Sequence, residues 1–390
     1  MASYRSYITS PFSDAVVECM RRLYPESLAD KSFDNTGLLL EAPWNRKRQL
    51  KNSALLTIDL TQAVAAEAIE RGDSIIIAYH PIIFRGLKSL TSNNTQQQTL
   101  LRLAAEGISV YSPHTAVDAV PGGMADWLCD IVTRSVHENP QVPIKSKQAT
   151  DDSTGPSSIS GISQPPPLPP RTASRGALPH IVVPGSHTSL SNVASDAVIP
   201  HSRSTILQNP LPPPGFEGAG AGRLVSFSTP QPLTSIIKRI GTTLGLPRGL
   251  PHFPLAIPQD SNVADMEIST VATCPGSGSS ILMKDGKPVA DLLLTGEMSH
   301  HDALAAIENG SVVIALFHSN SERGYLHDVM RGKLEEALRL EWGQMIEDLA
   351  DLPETASSGM ANTLNDPSVE VKVSECDKDP YSIVAWPENL

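Results

Sequence analysis

The sequence predicts an α/β fold made of two related strand-helix-strand halves, pseudo-symmetric, with a disordered insertion between them. Three observations predict it. Helix-like and strand-like segments alternate with short links over residues 1–140 and again over 218–350. The stretch "LLTIDLTQAVAAEAIERGDSIIIAYH" (55–80) aligns without a gap on "LLTGEMSHHDALAAIENGSVVIALFH" (293–318). Between them, residues 141–217 are rich in Ser, Pro and Gly and hold little that builds a core.

The elements follow in order. "SPFSDAVVECMRRLYP" has helical apolar spacing with Pro11 near its start. "SALLTIDL" reads as a strand, "TQAVAAEAIERG" as a helix ending at Gly72, and "SIIIAYH" as a second strand. "TQQQTLLRLAAEG" is a further helix and "ISVYSPH" a further strand. Beyond the insertion the pattern resumes at "GRLVSFSTPQPLTSIIKRIGTTLGLP". It runs through "EISTVATCPGSGSS", "ADLLLTGE", "HDALAAIENG" and "SVVIALFH" to the long helix "YLHDVMRGKLEEALRLEWGQMI". Residues 351–390 read as a polar tail.

Composition narrows the function. A net charge of -12 gives no general pull toward phosphate backbones, which argues against nucleic-acid binding. No apolar run approaches the length of a membrane span. Cys19, Cys129, Cys274 and Cys376 are far apart and form no CxxC pair, as suits a reducing compartment and argues against a thiolate zinc site. The N-terminus lacks a signal-peptide core, and Asp14 and Glu18 sit early in its helix, unlike a transit peptide. The expected location is the cytoplasm, with a short mitochondrial address as the alternative.

The repeat places two histidines, His80 and His318, at equivalent strand ends, where open α/β sheets form their ligand crevices. In the same alignment Asp59 faces Glu297, Thr61 faces Ser299 and Tyr79 faces Phe317. Asp118 lies just past the strand "ISVY", and Glu322 is four residues beyond His318, on the same face if a helix begins there. Two imidazoles and two carboxylates suit Zn, Mn, Fe or Co, and bridging carboxylates would hold two ions about 3.5–4 Å apart. Each residue also has a plainer reading. Ser319 and Glu322 could form a capping box, Asp118 could organise the "DAVPGG" turn, and His80 could be a hydrogen-bonded turn residue.

"FDNTGLLL", "YHPIIFRGLKSL", "VYSPHTAVDAVPGGMADWL", "GEMSHHDALAA" and "HSNSERGYL" together resemble the successive signatures of the NIF-three-like family, also called the GTP cyclohydrolase I type 2-like family. The resemblance covers about 9–140 and 219–350. It implies a duplicated α/β fold, a dinuclear metal centre and often a ring-shaped homo-hexamer. Carried over residue by residue, it implies His80, Asp118, His318 and Glu322 as ligands of one or two divalent ions per chain. This sequence departs from the pattern at Tyr79, which stands where many members have a histidine.

Around these ligands the sequence offers further candidates. Glu297, His300 and His301 are candidate catalytic or ligand-orienting groups, or ordinary decoration of a helix N-terminus capped by Ser299. Tyr79 and His114 are candidates for the metal or for the groups around it, with His114 expected to buttress Asp118. Arg85 and Lys88 would hold an anion, or form a solvated basic loop. The "CPGSGSS" loop (274–280) offers backbone N–H groups for an anion but is better read as a turn. "PPPLPPR" (165–171) fits a polyproline ligand of an SH3-type partner. The functional expectation is a metal-dependent hydrolase of a small anionic, nucleotide-like substrate; the alternative is a non-catalytic metal-binding scaffold or regulatory partner.

Overall fold

The computed structural model describes residues 10–44, 48, 50–135, 197–244, 250, 252–350 and 366–383, all in one compact unit. The N-terminal half begins with α1 (Pro11–Leu23), capped by the Ser10 side chain, with Pro11 at the first helical position, where no N–H is needed. β1 (Gly37–Leu40), β2 (Ser53–Thr57), α2 (Gln62–Arg71), β3 (Ile75–Ala78), α3 (Thr95–Glu106), β4 (Ser109–Ser112), α4 (Thr115–Ala119) and α5 (Met124–Thr133) follow. β2 and β3 are buried throughout and read as unbroken apolar runs because both faces of their sheet are covered.

The second half comprises β5 (His201–Gln208), β6 (Gly220–Pro232), α6 (Leu233–Thr243), β7 (Leu255–Ala256), β8 (Glu267–Ser277), α7 (Ser279–Leu282), the small ribbon β9 (Met283–Lys284) and β10 (Lys287–Pro288), β11 (Leu292–Glu297), α8 (His300–Glu308) and β12 (Val312–Ala315). Beyond them, α9 (Arg323–Tyr325) passes through a π-turn, Leu326–Met330, into α10 (Arg331–Ala350), and β13 (Glu370–Val373) comes last.

The first sheet has the order β1-β4-β3-β2-β13, parallel except for β1. The second has the order β5-β6-β8-β11-β12-β7, with β8, β11 and β12 parallel. One face of each sheet meets a shared core. Leu56, Ile75 and Ile77 from the first sheet join Leu292, Leu294, Val312 and Ile314 from the second, with side chains of α1, α5, α6 and α10. The opposite faces carry separate cores under α2 and α3, and under α8.

The repeat is therefore β2-α2-β3 matched by β11-α8-β12, with Thr61 and Ser299 capping their helices as equivalents. The gap-free alignment hides two compensating shifts. The turn after the helix is one residue shorter in the second unit, since Gly72 precedes Ile75 by three positions and Gly310 precedes Val312 by two. Phe317, at φ 64, restores the count before His318. Leu316, whose N–H donates to Thr295 as that of Tyr79 donates to Thr57, is thus the backbone counterpart of Tyr79. The expected match of Tyr79 to Phe317 is corrected accordingly.

Two boundary expectations are also corrected. Residues 201–208, placed in the disordered insertion, form β5, and Arg203 there pairs with Asp126 and Asp130 of α5. It is a polar edge strand flanked by prolines, so its composition resembles that of a loop. The remainder of the expected insertion up to 196, including 165–171, lies outside the described residues. Within the expected tail, β13 completes the first sheet beside β2. No helix among the described residues is long and apolar enough to cross a membrane.

Candidate metal centre

The two repeat units each deliver an imidazole backed by a carboxylate. His80 lies two residues past β3 and its N–H donates to Ile58; its Nδ1 is 2.9 Å from Asp59 Oδ1, at the end of β2. His318 lies three residues past β12, with Nδ1 3.2 Å from Glu297 Oε2, at the end of β11. Asp59 and Glu297 are equivalent positions of the repeat. Each ring, held by Nδ1, turns its Nε2 toward a shared carboxylate. Glu322 Oε2 is 3.5 Å from His80 Nε2, and Glu322 Oε1 is 3.6 Å from His318 Nε2. The rings themselves are 5.2 Å apart, and ligand atoms of His80, His318 and Glu322 all fall within 4.8 Å of one another.

Glu322 is 1% exposed, and its Oε2 has no hydrogen-bond partner. A buried, under-satisfied carboxylate is costly unless a cation or donor meets it. Gly276, at φ 60, forms the floor below it: a Cβ there would lie 2.8 Å from Glu322 Oε1 and 3.1 Å from His318 Nε2. The orphaned oxygen, the two oriented imidazoles and the space kept open by Gly276 fit a divalent ion, and a carboxylate that orients an imidazole through Nδ1 is the usual support of a metal-bound histidine.

The alternative reading, a capping box at Ser319, is not what forms. Ser319 Oγ donates to Asp379 and accepts from Arg323, while His318 and Glu322 flank a 3-10 turn, Ser319–Ser321. Asp118, on α4, stands beside the three converging residues and not among them. Tyr79 Oη donates to both of its oxygens at 2.9 Å. Burial pushes the Asp118 carboxyl well above the usual carboxylate range, and the neighbouring Glu322 charge adds to the shift. Burial likewise pushes the Tyr79 phenol up, reinforced by Asp118 and Glu322, so it remains a donor. For His80, burial opposes the charged form, but its hydrogen bond to Asp59 and the charges of Glu322 and Asp59 outweigh it and push the imidazole up to about 10. Burial likewise opposes ionisation of Asp59, but His80 holds it below its ordinary value.

His114 stands at φ 36 at the start of α4, with Nδ1 2.6 Å from Asp34 Oδ1. Its ring packs on Tyr79 and His80 at 5.3 and 5.6 Å. Its polar partner is thus Asp34, and no hydrogen bond runs from it to Asp118 among the described residues. Phe33 and Phe84, both about half exposed, flank it. Arg85 and Lys88 are exposed on the loop after His80, and among the described residues neither meets a carboxylate. His300 and His301 are exposed at the start of α8 and pack on each other, 5.5 Å apart, with no polar contact to the centre among the described residues. Of these three candidates only Glu297 touches the centre. In the 274–280 loop, the N–H of Gly276 donates to Ser321 Oγ and that of Gly278 to the Glu297 carbonyl, which leaves neither for an anion.

Sequence reasoning paired Asp59 with Glu297 without seeing its role, and missed Asp34. A carboxylate at each strand end, matched across a repeat whose next strand ends in histidine, was the available signal for Asp59.

Fold and site define a duplicated α/β protein with two carboxylate-backed histidines facing one buried glutamate across the seam of its halves. The chain belongs to the Duf34/NIF3 (NGG1p interacting factor 3) family, whose model matches residues 13–347. It is 38% identical over 330 residues to Protein NIF3 homolog of Schizosaccharomyces pombe, covering 84% of this chain and 91% of that one. It is 34% identical over 334 residues to NGG1-interacting factor 3 of Saccharomyces cerevisiae, covering 84% and 92%. Among solved structures, the Bacillus cereus protein related to NIF3 shares the fold at a TM-score of 0.55 and 16% identity, over 95% of this chain and 98% of that one.

Proposed function

We propose that the protein is a divalent-metal-dependent hydrolase of a small anionic, nucleotide-like substrate, acting in the cytoplasm. Glu322 carries the reading: it is a buried carboxylate with one oxygen unpaired, faced by two imidazole Nε2 atoms whose other nitrogens are already held. Two imidazoles and a carboxylate suit Zn, Mn, Fe or Co. Bound there, such an ion would supply Lewis-acid activation of water and of a phosphoryl or ring oxygen.

The chain's own groups support the rest. Asp59 and Glu297 fix the orientation of the two rings. Asp118, held by the Tyr79 hydroxyl beside the centre, is the carboxyl group placed to pass a proton to a leaving group. Phe33, Phe84 and His114 form an aromatic wall for a planar ring, and Arg85 and Lys88 offer positive charge for the anion. Three of the four unpaired cysteines are buried, in keeping with a reducing compartment.

The test is a screen of the metal-loaded protein against nucleotides and phosphoesters, with Glu322→Gln in parallel. The reading expects metal-dependent turnover that the variant loses while remaining folded. Turnover equal in the two proteins, or none with any of the four metals, contradicts it.

A further inference from the structure

A third segment reaches both halves of the metal centre. After β13, the Ser374 N–H donates to the Leu56 carbonyl at 2.8 Å. Glu67 of α2 then accepts from Ser374 Oγ and from the N–H groups of Glu375 and Cys376. That turn sends the chain across the seam. Asp377 Oδ2 accepts the Ile58 N–H at 2.7 Å and pairs with the Arg323 guanidinium. Asp379 Oδ2 accepts from Ser319 Oγ at 2.8 Å, and the Tyr381 ring lies 6.3 Å from that of Phe317.

The positions touched are specific. Ile58 immediately precedes Asp59, which orients His80. Phe317 and Ser319 bracket His318, and Arg323 immediately follows Glu322. One buried carboxylate therefore joins the backbone that carries one imidazole support to the side chain next to the shared ligand. The Asp377 side chain is 2% exposed and its Oδ1 has no hydrogen-bond partner, so the carboxylate is held through Oδ2 alone. Removing the cation from a carboxylate buried in that way is strongly destabilising.

Resting on the metal reading above, we propose that Ser374–Tyr381 is a clasp of the metal centre, with Asp377 as its positioning residue. When docked it holds the two ligand-bearing loops at the separation a metal needs; when undocked it leaves them independent. Coupling of this kind is reciprocal, so bound metal tightens the clasp by the factor by which the clasp tightens metal binding. The segment therefore links the state of the C-terminal region to occupancy of the site.

The experiment uses the full chain and Co²⁺, whose visible spectrum reports ligand geometry. Wild type, Asp377→Asn and a control, Asp73→Asn, are titrated, and their metal-free thermal unfolding is recorded. Asp73 is another buried carboxylate paired with an arginine, Arg71, but it lies at the far end of β3 from His80. The clasp predicts a loss of Co²⁺ affinity of about 10–100-fold and an altered spectrum for Asp377→Asn, the range seen when groups supporting a metal ligand are removed. Asp73→Asn should lower stability and leave affinity and spectrum unchanged. Equal affinities in wild type and Asp377→Asn overturn the clasp and leave the metal reading standing. A wild type that takes up no Co²⁺ overturns both. If Asp377→Asn does not fold, amide exchange on the wild type decides: Co²⁺ must slow exchange at Ile58 and across 374–381, and unchanged rates refute the clasp.

Discussion

Replacing Gly276 by alanine tests whether the space beside Glu322 is part of the design. The added Cβ would lie 2.8 Å from Glu322 Oε1 and 3.1 Å from His318 Nε2, inside normal contact for both. Glu322 is buried and faces two imidazoles, so a shift away from the new Cβ would disturb both facing contacts. The backbone at φ 60 adds about 1–2 kcal/mol for an L-residue, and overpacking a closed site costs about 1–3 kcal/mol. The metal-free protein should thus lose about 2–5 kcal/mol, the sum of those two costs. Metal affinity should suffer as well, because donor positions must hold to within about 0.2 Å. Urea unfolding measures the first effect and Co²⁺ titration the second. Gly86→Ala, on the loop after His80, has nothing within 4 Å of its new Cβ and serves as a neutral comparison. Wild-type metal affinity in Gly276→Ala would refute the geometric argument.

Three further outcomes follow from the same structure. Tyr79→Phe removes the donor to both Asp118 oxygens and should cost about 1–3 kcal/mol in urea unfolding of the metal-free protein; an unchanged midpoint would show that the phenol does not hold Asp118. The His80 imidazole, raised from 6.5 to about 10, binds a proton in the folded chain that the unfolded chain has released. Its contribution is complete below pH 6.5 and is lost as pH rises toward 10, so metal-free Tm should fall across that window. Metal must displace the same proton, so affinity should rise with pH, and pH-independent binding would contradict the assignment of His80. Replacing residues 136–196 by a short Gly/Ser bridge should preserve unfolding and metal uptake, because the Ile199 N–H donates to Thr133 at 2.9 Å and brings the flanking ends together; a large loss of either would show that the segment supports the core.

The halves and their histidines were legible because the repeat preserved apolar spacing, caps and strand-end chemistry together. The offset at Phe317 was not, since a turn shortened by one residue and a left-handed residue added later cancel in a gap-free alignment. β5 was missed because a polar edge strand between prolines carries no apolar alternation. β13 was missed for another reason: its partner β2 is more than three hundred positions away, and "VEVKV" alone does not reveal which sheet it joins. The same distance hid Asp377, a tail carboxylate in the sequence and a buried one in the fold. Asp118 was read from its motif as a fourth ligand, whereas the three converging residues do not include it, and its engagement with Tyr79 depends on side-chain directions that spacing does not specify.

The central claim is that His80, His318 and Glu322 hold a metal ion at the seam of the two halves. Anomalous diffraction from crystals grown with Zn²⁺, recorded on both sides of the zinc absorption edge, tests it most directly. The account predicts a peak about 2.0–2.2 Å from Nε2 of His80, Nε2 of His318 and a carboxylate oxygen of Glu322. An anomalous peak elsewhere on the protein, with none between those three side chains, would contradict it.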